Sequence, residues 1–180
     1  STTEELANGR LTGRAMDNRV GVWTAAEVLR RAAEADVDTT VQAVSTVQEE
    51  VGANGAEMVG FDLDPDAAVV VDVTHATDSP GIAGKQQTGV ELGDGPSVRR
   101  GQPDHPVLVD ALRTVADEDG VTVQLEAASN STLTDANAFF VQQGGIPTVN
   151  LGVPTRYMHT PTEVVDASDL HGTVALAAAL

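Results

Sequence analysis

Four places along this 180-residue chain put metal-ligand and acid–base side chains where catalysis can use them. They are Asp17 in Ala15-Met16-Asp17-Asn18-Arg19, the adjacent pair Glu49-Glu50, Asp72 at the end of an apolar run, and His159 in Arg156-Tyr157-Met158-His159. Each alone reads as a helix cap or a solvated surface group. The pair is harder to dismiss, because it follows a β-branched stretch, is flanked by Val47 and Val51, and leads into Gly52. Neighbouring side chains point different ways, so one carboxylate can bind a metal while the next takes a proton from the water that the metal activates. The chain has no cysteine, which excludes thiolate zinc sites, disulfide frameworks and cysteine nucleophiles. A metal must therefore rest on His, Asp or Glu.

The elements that would position these residues alternate between helix and strand. Apolar residues at Val22, Ala25, Ala26, Val28, Leu29 and Ala32 predict an amphipathic helix over 20–35. The β-branched run 40–47 predicts a strand buried on both faces. A short helical stretch over 53–59 precedes the clearest strand, 67–73, which ends on acid. Loops and short edge strands are expected over 81–101, a helix over 106–118, a strand over 121–127 and a helix over 135–144 ended by glycine. Gly144-Gly145-Ile146-Pro147 reads as a turn leading into a strand over 147–151, and the chain closes on a helix over 166–180 capped by Asp166 or Ser168. This order predicts an α/β fold with helices covering a sheet, whose strand ends and following turns carry the ligand-type residues. No repeat, low-complexity tract or long linker divides it, so residues 1–180 are expected to form one domain.

Charge narrows the partners. Twenty-seven acids against ten Lys and Arg leave a net charge of −17, and Lys85 is the only lysine. Nucleic-acid binding and acidic lipid surfaces are disfavoured, since the only adjacent basic pairs are Arg30-Arg31 and Arg99-Arg100. The acidity is spread along the chain and predicts a salt-adapted surface whose self-repulsion is screened at molar salt, where the Debye length is about 3 Å. No apolar run approaches the roughly 20 residues of a membrane span, and the acidic start has no signal-peptide pattern, so a cytoplasmic protein is expected.

Taken in order, four segments carry more than their parts. Arg14-Ala15-Met16-Asp17-Asn18-Arg19-Val20-Gly21, Thr46-Val47-Gln48-Glu49-Glu50-Val51-Gly52, Val71-Asp72-Val73-Thr74-His75 and Arg156-Tyr157-Met158-His159-Thr160-Pro161 resemble the signatures of the tetrahedral-aminopeptidase family, which includes glutamyl aminopeptidases and proteins once labelled cellulase M. The resemblance covers essentially the whole chain. It implies a three-layer α/β/α sandwich around a mixed, mainly parallel sheet, with two divalent cations that serve the removal of residues from peptide N-termini. By the same resemblance Asp17 bridges the two cations, Glu50 and His159 complete one site, Asp72 serves the other, and Glu49 is the general base. Zinc suits imidazole and carboxylate donors, and cobalt or manganese would fit similar geometry.

The chain departs from the pattern at its beginning. Family members begin with a further segment that carries a histidine ligand and an inserted β domain used in assembly, so the Asp72 site is expected to lack its imidazole and an exposed sheet edge is expected. A monomer or dimer is expected for this chain and a homo-oligomer for its parent. His75, on a strand that continues past Asp72, would face away from it. His105 is expected in a loop and His171 in packing or on the surface. Asp135, in Thr134-Asp135-Ala136-Asn137, either orients a ligand or substrate or caps a helix. Arg156 either binds a substrate carbonyl or carboxylate or pairs with one of the many acids. Two competing readings are an inert metal-binding core and a carbohydrate hydrolase. The second requires paired carboxylates about 5 Å or more apart across a sugar cleft, and 3% aromatic residues disfavour it.

Overall fold

The strand that organises the molecule is the nine-residue run Thr148–Arg156, buried in its first eight positions. In this computed structural model, which describes residues 2–82, 88–127 and 134–180, the strands are β1 (Glu4–Glu5), β2 (Arg10–Gly13), β3 (Ala68–His75), β4 (Ser97–Arg100), β5 (Gln124–Ala127), β6 (Thr148–Arg156) and β7 (Glu163–Asp166). The helices are α1 (Met16–Ala35), α2 (Asn54–Leu63), α3 (Pro106–Asp119), α4 (Asp135–Phe139) and α5 (Ala167–Ala179).

β3 runs parallel to β6 along one edge, from Ala68 opposite Thr148 to His75 opposite Thr155. The other edge of β6 is shared: β4 pairs with it antiparallel at Leu151 and Gly152, and β7 at Thr155 and Arg156. β5 extends the sheet parallel to β4, while β2 and then β1 extend it antiparallel from β7. The sheet is mixed, and its longest ladder is the parallel β3–β6 pair.

Alternation along the strands sends successive side chains to opposite faces. Val149, Leu151 and Val153 of β6, with Val73 of β3, join clusters with Val109 and Leu112 of α3, Met16 and Val20 of α1, and Leu170 and Leu176 of α5. Ala68 and Val70 of β3 pack instead with Ala56 of α2 and Phe139 of α4. The result is three layers, with α1, α3 and α5 on one face of the sheet and α2 and α4 on the other.

Several expectations need correction. The run 40–47 forms no strand and is mostly exposed, because a strand needs hydrogen-bonded neighbours and no described strand lies beside it. β3 pairs only with β6 among the described residues. Its free edge faces a groove of about 840 Å³, with residues 39–46 forming another wall and Val22, Ala25 and Val28 of α1 also lining it. The apolar stripe of α1 is thus divided. Val20 and Thr24 are buried in the body, whereas Val22 and Leu29 are exposed. β4 is not an edge strand, since β5 and β6 flank it. The helix expected over 135–144 stops at Phe139 and is followed by a 3-10 turn at Gln142–Gly144, inside which Gln143 takes left-handed angles. β3 continues to His75 instead of ending on Asp72. Part of the segment expected as loops, residues 83–87, lies outside the described residues.

Two close approaches hold the site-bearing segments to this frame. A Cβ on Gly21 would stand 2.6 Å from the Val71 carbonyl oxygen, so α1 lies against β3 only with glycine there. A Cβ on Gly55 would stand as close to the backbone of Val47, whose carbonyl accepts the Gly55 N–H at 3.0 Å.

Candidate active site

Asp17 sits where α1 begins irregularly. Ala15 is left-handed, and Asp17 and Asn18 have non-helical angles inside the first turn. The Asn18 side chain compensates by accepting the Gly21 N–H at 2.9 Å and donating to the Val71 carbonyl at 2.8 Å. It therefore caps the regular part of the helix and ties the Asp17 turn to β3.

Glu49 and Glu50 begin a single 3-10 turn, Glu49–Val51, entered through left-handed Gln48 and closed by the Gly52 N–H on the Glu49 carbonyl. Upstream, the Thr46 hydroxyl donates to Asp135 Oδ2, which tethers this stretch to α4. His159 lies in the turn between β6 and β7, where Tyr157 and His159 are both left-handed. Met158 packs between them onto the cluster of Met16, Val20 and Val73.

These turns converge. His159 Nε2 stands 3.2 Å from Asp17 Oδ2 and 3.5 Å from Glu50 Oε1. One donor atom from each of the three lies within 4.8 Å of the others. Asp72 and Glu49 lie outside that three-donor group but within electrostatic reach of it, since each feels Asp17.

The local electrostatics are strongly one-sided. Burial, followed by the charges of Asp72, Glu50, Asp135 and Asp17, pushes the Glu49 carboxyl up to about 7. Burial likewise lifts Asp72 to about 6, against the opposing pull of its hydrogen bond from the Val73 N–H. Asp17 is raised by burial and then by Glu50, and Asp135 by burial. Such a cluster of carboxyls, with one imidazole among them, resists full ionisation until a cation joins it. The residues therefore fit a divalent ion: imidazole and carboxylate donors converge, and the excess negative charge is what that ion would neutralise. Asp17, Glu50 and His159 would hold one cation, while Asp72 lies outside that group and is not among its converging donors.

The other candidates fall elsewhere. Asp135 is the first residue of α4, and the cap is Thr134, in a capping box with Asn137. Asp135 Oδ1 is buried with no hydrogen-bond partner among the described residues. Arg156 donates from Nε to Asp78 Oδ1 at 2.9 Å and from Nη2 to Oδ2 at 2.5 Å, a bidentate and largely buried pair. His75 is exposed at the end of β3 and His105 precedes α3. His171 packs edge-on against Trp23. Nothing in the sequence singles out Asn18 or Glu163, although both hold turns that carry the candidate donors.

The raised carboxyls have a consequence for stability. A group whose proton affinity is higher folded than unfolded stabilises the fold fully below its unfolded pKa, and that contribution fades as pH rises through the folded value. Besides Glu49 and Asp72, this applies to buried Asp169, which burial lifts to about 6 although its oxygens accept the Gly93 and Gly95 N–H groups. Discounted for the solvent screening of half-exposed Glu49, the chelator-treated chain is expected to gain on the order of 2 kcal/mol as pH falls from about 8 to about 5. Urea midpoints across that range measure it, and a flat or falling midpoint on acidification contradicts it.

Comparison with known proteins places this geometry among relatives. Residues 1–176 match the sequence profile of the family described as M42 glutamyl aminopeptidase. The chain is 34% identical over 175 residues to a lysyl aminopeptidase of Pyrococcus furiosus, covering 97% of this chain and 49% of that one. It is similar to the crystal structure of a TET aminopeptidase from Thaumarchaeota archaeon SCGC AB-539-E09, at a TM-score of 0.90 and 30% identity over 99% of this chain and 51% of that one. It also resembles Pyrococcus horikoshii TET1 peptidase, which can assemble into a tetrahedron or a large octahedral shell, at a TM-score of 0.82 and 26% identity, covering 99% of this chain and 52% of that one. The chain thus spans about half the length of these relatives.

Proposed function

The chain belongs to the M42 glutamyl aminopeptidase family, and on that footing we propose that it carries, as one domain, the catalytic core of a metal-dependent aminopeptidase that hydrolyses the N-terminal residue from peptides. The observation that carries this reading is the convergence of Asp17, Glu50 and His159 donors within 4.8 Å, beside a carboxyl held near neutrality at Glu49.

Zinc is the proposed cation, with cobalt or manganese as substitutes on the same donors. A pair of divalent ions would supply Lewis acidity to the scissile carbonyl and acidify the attacking water. In this reading Asp17 would be common to both cations, Glu50 and His159 would complete one position, and Asp72 would serve the other. Glu49 takes a proton from the water and passes it to the departing amine, a task suited to a carboxyl that titrates close to the working pH. Asp135 steadies the Glu49 turn through Thr46. Arg156 is committed to Asp78 and fixes the end of β6 instead of holding substrate.

The charge of −17 supports a salt-rich cytoplasm as the working compartment. No helix among the described residues is long and apolar enough to cross a membrane. The parent is proposed to assemble as a homo-oligomer, in line with the shells formed by its Pyrococcus horikoshii relative, and this chain to remain a monomer or dimer.

The test is hydrolysis of Lys-, Glu- and Leu-p-nitroanilide by the zinc-loaded chain in molar salt, beside their N-acetylated counterparts. Release from the free-amine substrates alone is expected. Release from the blocked substrates, or cleavage of a soluble cellulose derivative, overturns the aminopeptidase reading. Metal uptake without any release identifies an inert core.

A further inference from the structure

The residue that joins the two halves of the three-donor group is neither a ligand nor a base. Glu163, the first residue of β7, is 2% exposed. Its Oε2 accepts the backbone N–H of Asp17 at 3.1 Å, and its Oε1 accepts the backbone N–H of His159 at 3.0 Å. Asp17 and His159 come from turns far apart in sequence, yet one carboxylate holds both through the main chain. The strand fixes that carboxylate in turn: Glu163 pairs with Gly13 across the β2–β7 ladder, and its carbonyl accepts the Thr12 hydroxyl at 2.9 Å.

The chemistry of the contact requires an acid. Two N–H donors approach two separate side-chain oxygens, and a carboxylate is the protein side chain that offers two acceptors in one plane. Glutamine at the same place would satisfy one N–H and turn its amide hydrogens toward the other. Burying an acid close to Asp17 also has a cost, since its charge is one of those that raise the Asp17 carboxyl. A buried carboxylate kept at the back of a metal-ligand pair, bonded to the backbone of each ligand, has the arrangement of a clamp.

We propose that Glu163 is a positioning residue, which sets the spacing of Asp17 and His159 for a divalent cation by bonding both of their backbone N–H groups. The inference rests on the reading that Asp17 and His159 share a metal ion.

Glu163→Gln is the test, made on the full chain with cobalt(II) as the probe and chelator competition for affinity. The variant is expected to stay folded by circular dichroism without metal, to bind cobalt about 10- to 100-fold more weakly, and to show a changed visible absorption band. Thr12→Val, which removes a neighbouring strand contact of Glu163 but neither clamp bond, is expected to keep the wild-type affinity and band. A folded Glu163→Gln chain with unaltered affinity and band overturns the clamp while leaving the metal site intact. Failure of the wild-type chain itself to bind cobalt overturns the metal reading and the clamp's purpose with it. Should Glu163→Gln not fold, amide hydrogen exchange in the wild-type, metal-free chain decides: protection at both Asp17 and His159 is expected, and rapid exchange at either overturns the clamp.

Discussion

Replacing Asp17 with alanine is expected to abolish tight divalent-metal binding. Of the three convergent donors Asp17 is the least exposed, its side chain 12% accessible against 61% for His159 and 64% for Glu50. It is also the one that both proposed cation positions share. Structural zinc sites bind with about 10–16 kcal/mol spread over four ligands, so one ligand is worth about 3 kcal/mol or more, a loss of at least about a hundredfold in affinity. With the shared ligand gone, neither position keeps more than two of its donors. Elemental analysis after equilibration with zinc in molar salt is the measurement. One metal per chain, lost in the variant, supports a centre built on Asp17, Glu50 and His159. Two per wild-type chain mean that another residue or a second chain supplies the missing donor. Undiminished binding by the Asp17→Ala chain removes the site from these residues.

Glu49→Gln is expected to leave that metal in place and to lower hydrolysis of aminoacyl-p-nitroanilides by about 10²- to 10⁴-fold, the range that general-base catalysis contributes. Glu49 stands outside the three-donor group, so the amide should not disturb the donors, but it cannot accept a proton at neutral pH. Burial and the surrounding acids hold the carboxyl near 7, and a bound cation nearby draws it lower. The acid limb of kcat/KM should therefore lie below pH 7 in the wild-type chain and vanish in the variant. A Glu49→Gln chain that keeps its metal and its rate removes Glu49 from the proton path. One that loses both shows that the carboxylate holds metal.

Much of this site is legible because its chemistry is written in short segments. Glu49-Glu50 between Val47 and Val51 signals two adjacent carboxylates whose side chains point different ways. The Met16-Asp17-Asn18 and Met158-His159 segments each set a methionine that packs on the core beside a candidate donor. The connections that make the segments converge are less legible. Glu163 looks like one more acid in a chain of net charge −17, and only its two backbone contacts separate it from the rest.

The fold divides in the same way. The strand over 67–73 and the helix over 106–118 are read correctly because their neighbours are the body of the molecule. The run 40–47 has the composition of a buried strand, but composition records which residues tolerate a sheet and not whether a neighbour is present. β1, β2 and β7 are missed because, at two to four residues, none is long enough to show an alternation of its own.

The groove beside β3 joins the sheet to the site. One of its walls carries Asp72. The other leads into the turn that bears Glu49 and Glu50, and that turn is tied back chiefly through Thr46 and Val47. An extended chain seated in the groove would bond both walls and fix the distance between the two sets of acids. A cation bound at the groove's end would fix the same distance. Two ligands that favour one arrangement of the same pair of walls are coupled, and each must raise the affinity for the other by an equal factor.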